Sequence, residues 1–315
     1  MAAALIKTSI VIATYNGGDR ISALVDSLLP FLNEQRELVV VDDGSADNTR
    51  EIVSSLTYGV QNFLLHTIPN SGRSIARNVG ANSARGEWVV FLDDDIEINP
   101  EFLSRHEAIK EKFPDSWVTG TVRQKIENIP HADFLRFRSR LDYDRAHARP
   151  DTLGLIEVDS FSTQQLCVRT DLFRKVGGFH QGLRDCEDFE LSVRVRDAGY
   201  KIFHDSKNVV FHRDFSTFEK FIKRQLEYRK GRNLLATAHP EFVARFPQLF
   251  GTEKKKSATE RLIRRLFVYG PFWRWFFKNR LRLTVPEMVL HTAYDLVTSS
   301  TFLLPTETTI KQREL

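Results

Sequence analysis

The stretch Trp88-Val89-Val90-Phe91-Leu92-Asp93-Asp94-Asp95 ends an apolar run in three consecutive carboxylates. Its β-branched and aromatic residues predict a buried strand. Adjacent carboxylates repel each other, so a divalent cation, an arginine or several donors must offset their charge beside a buried strand. Oxygen ligands favour Mg²⁺ or Mn²⁺, ions that usually also bind water and substrate phosphates. Taken alone, the stretch equally fits an acidic turn before a helix near Pro100.

The chain on the N-terminal side of this stretch alternates short β-branched runs with helix-like segments, which predicts a mostly parallel sheet flanked by helices. We expect strands at residues 8–13, 37–41, 60–68 and 87–92. In open α/β sheets, ligands bind beyond the carboxyl ends of the strands. Three of these ends carry polar clusters: Thr14-Tyr15-Asn16, Asp42-Asp43-Gly44-Ser45 and Asp93-Asp94-Asp95. Their convergence at one edge favours the metal site over the acidic turn.

The second half of the chain is less regular. Strand-like runs at residues 117–122, 163–168, 201–204 and 208–212 accompany helix-like runs at 133–147 and 186–198. Residues 247–257 are polar and rich in lysine, which predicts a linker before a helical C-terminal part. No internal repeat or low-complexity segment interrupts this organisation.

Composition fits a folded chain of enzyme size, with 315 residues, 42% hydrophobic and 27% charged. Only Cys167 and Cys186 are cysteines and no signal-like segment begins the chain, so we expect a reducing cytosol. The net charge of +4 is concentrated in the C-terminal third, where lysine and arginine alternate with aromatic residues. That mixture suits a membrane surface.

Six stretches, in this order and spacing, resemble the inverting, nucleotide-sugar-dependent glycosyltransferases of family 2, which have the GT-A fold. They are residues 9–16 (SIVIATYN), 40–45 (VVDDGS), 70–78 (NSGRSIARN), 86–95 (GEWVVFLDDD), 176–179 (VGGF) and 186–188 (CED). The resemblance covers about the first 213 residues. It implies a GT-A catalytic domain at 1–213, with a nucleotide-sugar-binding half at 1–116 and an acceptor-side half at 117–213. Residues 214–315 would then form a helical region that associates with a membrane or oligomerises.

The resemblance also implies roles for individual residues. The nucleotide-sugar-binding set is Ala13, Thr14, Tyr15, Asp43, Arg73, Asp93 and Asp94. Asp43 would read the base, although Asp-Gly-Ser also favours a plain turn. Arg73 would contact the diphosphate or the sugar near the amides of Ser71 and Gly72, which suit an anion. Arg77, on the same helix, retains the alternative of a solvated helix face.

The family's DxD motif corresponds to Asp93 and Asp95. Asp95 would bind Mn²⁺ or Mg²⁺ directly, and Asp93 would reach the metal through water or bind the ribose or the sugar. His212 would be a further ligand, against the alternative of a hydrogen-bonded structural histidine. Asp94 can also face away from the site.

The catalytic residues implied are Asp188, as general base, and Glu187. Both also have a simpler explanation, because carboxylates at a helix start are stabilised by the helix dipole. Thr163-Gln164-Gln165 and His180-Gln181 depart from residues common in the family, so the substrate cannot be assigned by analogy. The Gln-x-x-Arg-Trp motif of processive synthases is missing, which favours addition of a single sugar.

The expected partners are a nucleoside-diphosphate sugar and a glycan or lipid-linked acceptor. The aromatic and basic residues between 258 and 304 predict peripheral attachment to a membrane, at the inner face of the cell membrane, with a homodimer interface or packing on the sheet as alternatives. Nucleic acid is not an expected partner. The rival functions are a sugar nucleotidyltransferase and an inactive nucleotide-sugar-binding scaffold.

Overall fold

The computed structural model describes residues 5–125, 133–143, 150–213, 217–250, 265–279 and 284–300. The chain divides into two compact units. The first contains Met1–Lys125 and Asp142–Asp214, and the second contains Ile126–Leu141 and Phe215–Leu315. Several segments on which the sequence made predictions lie outside the described residues: 144–147 of the predicted helix, 251–257 of the predicted linker, and the basic positions 254–256, 261, 264, 280 and 282.

The described residues of the first unit contain one nine-stranded sheet. Its strands are β1 (Thr8–Thr14), β2 (Arg36–Asp42), β3 (Phe63–Thr67), β4 (Trp88–Asp93), β5 (Ile96–Glu97), β6 (Trp117–Gln124), β7 (Leu155–Glu157), β8 (Gln165–Arg169) and β9 (Ile202–His212). They are ordered β3-β2-β1-β4-β8-β6-β9-β5, and β7 pairs with β9. The first four strands are mutually parallel, whereas β8 runs antiparallel to both β4 and β6.

The α-helices of the described residues are numbered in chain order. They are α1 (Gly18–Leu28), α2 (Thr49–Leu56), α3 (Arg73–Ser83), α4 (Phe102–Lys112), α5 (Asp133–Tyr143), α6 (Thr170–Lys175), α7 (Glu187–Asp197), α8 (Phe218–Ala238), α9 (Pro240–Arg245), α10 (Pro247–Phe250), α11 (Pro271–Lys278) and α12 (Glu287–Ser300). Of these, α5 and α8 to α12 belong largely to the second unit. The predicted α/β class is confirmed, and β1, β2 and β4 read as unbroken apolar runs because both of their faces are covered.

The alternation of side chains along β1 shows how the sheet is covered on both faces. Ile10 and Ile12 pack in one cluster with α1, whereas Val11 packs in the other cluster with Ala76 of α3. The helix approaches β1 closely at Gly80, where a Cβ would lie 2.4 Å from the Cγ1 of Val11. This contact sets the distance between α3 and the sheet.

Two strand predictions differ from the structure. β3 is shorter than residues 60–68, because Val60 and its neighbours form a turn. The runs at 201–204 and 208–212 are one strand, β9, whose pairing with β6 shifts register between Gly120 and Thr121. An irregularity of this kind absorbs extra residues without ending a strand, so the polar residues in the middle did not break it.

The described part of the second unit is helical, with an aromatic core. Phe218 of α8, Phe277 of α11 and Tyr294 of α12 are in mutual ring contact, with centroids 4.4 to 4.7 Å apart. The Tyr294 hydroxyl donates to Oδ2 of Asp133 at 2.6 Å. Among the described residues, none of the helices combines the length and the apolar character needed to cross a bilayer.

Candidate active site

Three polar clusters meet at the carboxyl edge of the parallel strands. In the parallel ladders Thr14 pairs with Asp42 and Ala13 pairs with Asp93. The Asp43 amide donates to the Thr14 carbonyl at 2.9 Å, which extends this alignment one residue beyond the strands. The polar residues that follow β1, β2 and β4 therefore lie together at one edge of the sheet, as expected for an open α/β sheet.

Asp43 joins β2 to the start of α3. Its Oδ1 accepts from the Ser71 amide at 2.7 Å and its Oδ2 accepts from the Gly72 amide at 2.8 Å. Gly72 has φ +96°, a conformation that favours glycine. The anion that these two amides hold is thus a side chain of the protein itself. Asp42 has a turn role, since its Oδ1 accepts from the Ser45 amide at 3.0 Å.

Asp94 faces β1 and α1. Its Oδ2 accepts a hydrogen bond from the Thr14 hydroxyl at 2.7 Å and lies 3.1 Å from Nη2 of Arg20. Burial raises the pKa of Asp94, although the hydrogen bond and the charge of Arg20 oppose that shift. Tyr15, 46% exposed, follows Thr14 at the open edge, and Ala13 is partly buried. Asp94 therefore binds the end of β1 and the start of α1. Its partner Arg20 was not predicted from the sequence, because nothing in the run of three aspartates indicates it.

Asp93 is held by Arg77. The Arg77 Nη2 lies 2.7 Å from Oδ1 of Asp93, and its Nη1 lies 2.8 Å from Oε1 of Glu187. Burial alone would raise the pKa of Asp93, but the charges of Arg77 and Arg73 outweigh burial and lower it. The interpretation of Arg77 as a solvated helix face is wrong: the side chain is only 4% exposed, because its side of α3 packs against the chain leading into α7.

Glu187 and Asp188 form the first turn of α7. Glu187 is buried against Arg77, and Nε of Arg73 lies 4.0 Å from its Oε1. Burial and then the charge of Glu187 raise the pKa of Asp188 to about 6. A carboxylate with that pKa is ionised at neutral pH yet more basic than an ordinary aspartate. The two acids therefore differ: one is neutralised by arginine, and the other is able to take up a proton.

Asp95 and His212 are brought together by the pairing of β5 with β9. Ile96 lies opposite His212 in that ladder, and the Arg213 amide donates to the Asp95 carbonyl at 2.9 Å. His212 Nε2 lies 3.2 Å from Oδ1 of Asp95, a buried atom that accepts no hydrogen bond from the described residues. A carboxylate oxygen and an imidazole nitrogen are both atoms that can bind a divalent cation. Among the described residues, no cluster of three or more His, Cys, Asp or Glu forms a metal cage.

Comparison with a solved structure shows the class of fold. The mannosyltransferase PcManGT from Pyrobaculum calidifontis, solved with GDP-mannose and Mn²⁺, superposes with a TM-score of 0.53 at 15% identity. The superposition covers 98% of this chain and 78% of that one, which shows a shared fold. The GT-A class of glycosyltransferase folds, expected from the sequence, is confirmed.

The family follows from the sequence comparison. The model of glycosyl transferase family 2 matches residues 9–167, just over half of the 315 residues. The chain belongs to glycosyl transferase family 2, so the resemblance drawn from its motifs is confirmed.

Curated relatives agree with this assignment. An uncharacterized glycosyltransferase of Haemophilus influenzae is 25% identical over 220 residues, covering 65% of this chain and 68% of that protein. The undecaprenyl-phosphate 4-deoxy-4-formamido-L-arabinose transferase of Yersinia pestis is 32% identical over 122 residues, which is 37% of each chain. With several relatives the match therefore spans only about a third of their length.

Proposed function

We propose that this protein is a metal-dependent, inverting glycosyltransferase that transfers one sugar from a nucleoside-diphosphate sugar to an acceptor hydroxyl. The observation that carries the proposal is the pair of acids at the start of α7. Glu187 is joined through Arg77 to Asp93 of the strand edge, and the adjacent Asp188 has a pKa near 6. A proton acceptor therefore lies on the segment tied to the expected donor-binding residues.

The donor is proposed to lie across the carboxyl ends of β1, β2 and β4. Ala13, Thr14 and Tyr15 would form the wall beside the base, and Asp43 would accept from a base N–H with lone pairs that its two backbone bonds leave unused. Arg73, whose side chain is 44% exposed, remains accessible for the diphosphate or the sugar. Residues 1–116 would then bind the donor, and residues 117–213 would face the acceptor.

Asp95 and His212 are proposed to hold the divalent cation. The residues fit such an ion, because Oδ1 of Asp95 is a buried oxygen to which none of the described residues donates a hydrogen bond, and Nε2 of His212 lies 3.2 Å from it. Asp93, whose Oδ1 is engaged by Arg77, would take part through water or through the sugar. The bound Mn²⁺ or Mg²⁺ would neutralise charge that develops on the departing diphosphate.

Asp188 is proposed as the general base. It would accept the proton of the acceptor hydroxyl while the oxygen attacks the anomeric carbon from the face opposite the diphosphate. The new C–O bond forms as the bond to the diphosphate breaks, so the anomeric configuration inverts in one step. No covalent nucleophile is required. Burial also raises the pKa of Cys167 to about 11, which makes that thiol a poor nucleophile.

The acceptor is proposed to be a glycan or a lipid-linked glycan. The name of the Yersinia pestis relative includes undecaprenyl phosphate, a lipid phosphate, which supports a lipid-linked acceptor for this chain. Peripheral attachment to the inner face of the cell membrane would bring the enzyme to such a lipid. The supporting feature is α11, where Phe272 is 61% exposed and Trp275 is 53% exposed. Their rings lie 6.4 Å apart and form an apolar surface.

The deciding experiment is release of nucleoside diphosphate from a panel of nucleotide sugars, with and without saccharide or lipid-linked acceptors. Reactions with Mn²⁺, Mg²⁺ and EDTA test the metal, and NMR of the product's anomeric proton tests inversion. We expect release that requires a divalent cation and yields the inverted anomer. A retained anomer would contradict the single displacement, and pyrophosphate exchange would point to a nucleotidyltransferase.

A further inference from the structure

One side of α3 is buried and polar. Ser74, Arg77 and Asn78, at positions i, i+3 and i+4, share this face. The Ser74 hydroxyl donates to the Leu183 carbonyl at 2.6 Å. Asn78 accepts from the Phe179 amide at 2.9 Å and donates to the Phe179 carbonyl at 2.8 Å. Ser74 and Asn78 thus attach α3 to the segment that leads into α7.

Arg77 is the charged member of this face. Its guanidinium bridges a carboxylate of β4 and a carboxylate of α7, and its carbon lies 5.6 Å from the centre of the Phe179 ring. Burial lowers the pKa of Arg77, but Asp93 and Glu187 more than compensate, so the side chain is a cation. An arginine fork suits this position because each arm meets a different carboxylate, which a lysine ammonium cannot reproduce.

The surroundings of Asp188 give this bridge a consequence. The two charges with the largest effect on the pKa of Asp188 are Glu187, from its own helix, and Arg77, from α3. Arg73, also from α3, approaches Glu187 at 4.0 Å. Without Arg77, only the more distant Arg73 would offset the charge of Glu187, so that charge would act more strongly on Asp188. Like charges disfavour ionisation.

We propose that Arg77 is a positioning residue that fixes Glu187 to Asp93 and neutralises it, so that Asp188 remains the ionised proton acceptor. The inference rests on the proposed glycosyl transfer and deepens it. It assigns to one buried arginine the coupling between the strand edge proposed to bind the donor and the proposed base. In this proposal Arg77 acts through Glu187 and Asp93, which its guanidinium binds, and not by contact with the reacting atoms.

The test is the pH dependence of kcat/KM for release of nucleoside diphosphate. The acid limb of this profile is the pH range in which activity falls as Asp188 takes up a proton. We expect Arg77→Met to move the acid limb to higher pH by about one unit, because loss of a nearby opposite charge raises the pKa of a carboxylate. Glu187→Gln should move it downward, and the double variant Arg77→Met/Glu187→Gln should return it toward the wild-type position. Arg77→Lys, which keeps the charge but not the fork, should leave the limb close to wild type while lowering kcat.

Arg85→Met is the matched control. Arg85 forms an ion pair with the buried Glu37, Nε to Oε2 2.6 Å, at the opposite end of the strands. Its loss is expected to lower thermal stability without moving the acid limb. If Arg77→Met and Arg85→Met behave alike, with reduced activity and an unmoved limb, Arg77 is only structural and the proposal is overturned. A limb that the second substitution fails to restore overturns it as well.

Failure of the underlying function would look different. Wild-type protein would then release no nucleoside diphosphate from any donor at any pH, before a variant is compared. If Arg77→Met does not fold, two other variants still decide the question. They are the double variant, which also removes the charge of Glu187, and Arg77→Lys. An acid limb that is the same in wild type, Glu187→Gln and Arg77→Lys would then reject the coupling.

Discussion

Residues of one type have different roles at this edge because their partners differ. Asp43 accepts two backbone amides, Asp93 pairs with an arginine, and Asp94 accepts from a threonine hydroxyl. Asp188 combines burial with a like charge beside it, and these raise its pKa to about 6. The role proposed for each carboxylate therefore follows from its neighbours and not from its chemistry in isolation.

Asp188→Asn should reduce turnover by about 10²- to 10⁴-fold, because an amide cannot accept the proton of the acceptor hydroxyl. For the wild type, the raised pKa means that the proton occupies Asp188 below about pH 6. Activity should therefore fall as the pH drops through 6 and be full above it. A pH series of kcat/KM measures this. Nucleotide affinity, measured by calorimetry, should be unchanged, and full activity of the amide variant would exclude Asp188 as base.

Asp95→Ala and His212→Ala should each weaken Mn²⁺ binding by at least about tenfold, as loss of one ligand does at sites with few protein donors. Paramagnetic relaxation of water in a Mn²⁺ titration, with nucleoside diphosphate present, gives the affinity. Glu97→Gln serves as the control, because that side chain is paired with Lys125 and Arg213. Equal affinities in all four proteins would remove the metal from this position.

At the scale of elements, α3 has two distinct sides. Its small residues pack on β1, with Gly80 in closest approach, and its polar residues hold the chain before α7. The same helix also begins at the amides that Asp43 binds. Because α3 contacts both the strand edge proposed to bind the donor and the segment before α7, a change in its buried polar side should affect folding and catalysis together.

Asn78→Ala should lower the free energy of unfolding by about 2 to 5 kcal/mol, since it leaves the Phe179 amide and carbonyl without their partner in a buried turn. Urea unfolding, followed by tryptophan fluorescence, measures the loss. Asn82→Ala changes an exposed asparagine of the same helix and should have an effect near zero. Similar values for the two variants would show that the Phe179 contacts contribute little.

At the scale of the whole molecule, the two units have different surfaces. The first holds the carboxylate edge of the sheet, and the second combines an aromatic core with exposed rings on α11. Lys278 of that helix pairs with Glu219 at 2.8 Å, so part of its positive charge is already compensated. Membrane attachment by this surface would therefore depend more on the aromatic side chains than on these cations.

Phe272→Ser with Trp275→Ser should weaken binding to vesicles that contain anionic phospholipid by at least about tenfold, because burial of one aromatic side chain contributes roughly 1.5 to 3 kcal/mol. Co-sedimentation with phosphatidylglycerol vesicles measures binding. Tyr58→Ser is the control, because it also replaces an exposed aromatic residue by serine, at a 91% exposed position of the first unit. If wild type does not bind vesicles, a dimer interface becomes the better explanation of the exposed rings, and sedimentation velocity tests it.

The elements of the first unit were largely predictable. Repeating apolar runs and turn residues between them are properties of neighbouring positions, so β1, β2, β4 and α7 agree with their predicted spans within two residues. The merging of two runs into β9 was not predictable, because continuity of that strand depends on its pairing with β6. The motifs were sufficient to indicate the family, since their order along the chain does not depend on the folded structure.

The sequence by itself thus determined the class of fold, the family and the strand ends at which the polar residues gather, because all three depend on local pattern and order. Only the tertiary structure decided which carboxylate meets which partner. Arg77 lies 16 residues from Asp93 and 110 residues from Glu187, and Asp43 lies 28 residues from Ser71. Charge and hydrogen bonding act through space over a few ångströms, so chain separations of this size conceal them until the sheet and α3 pack together.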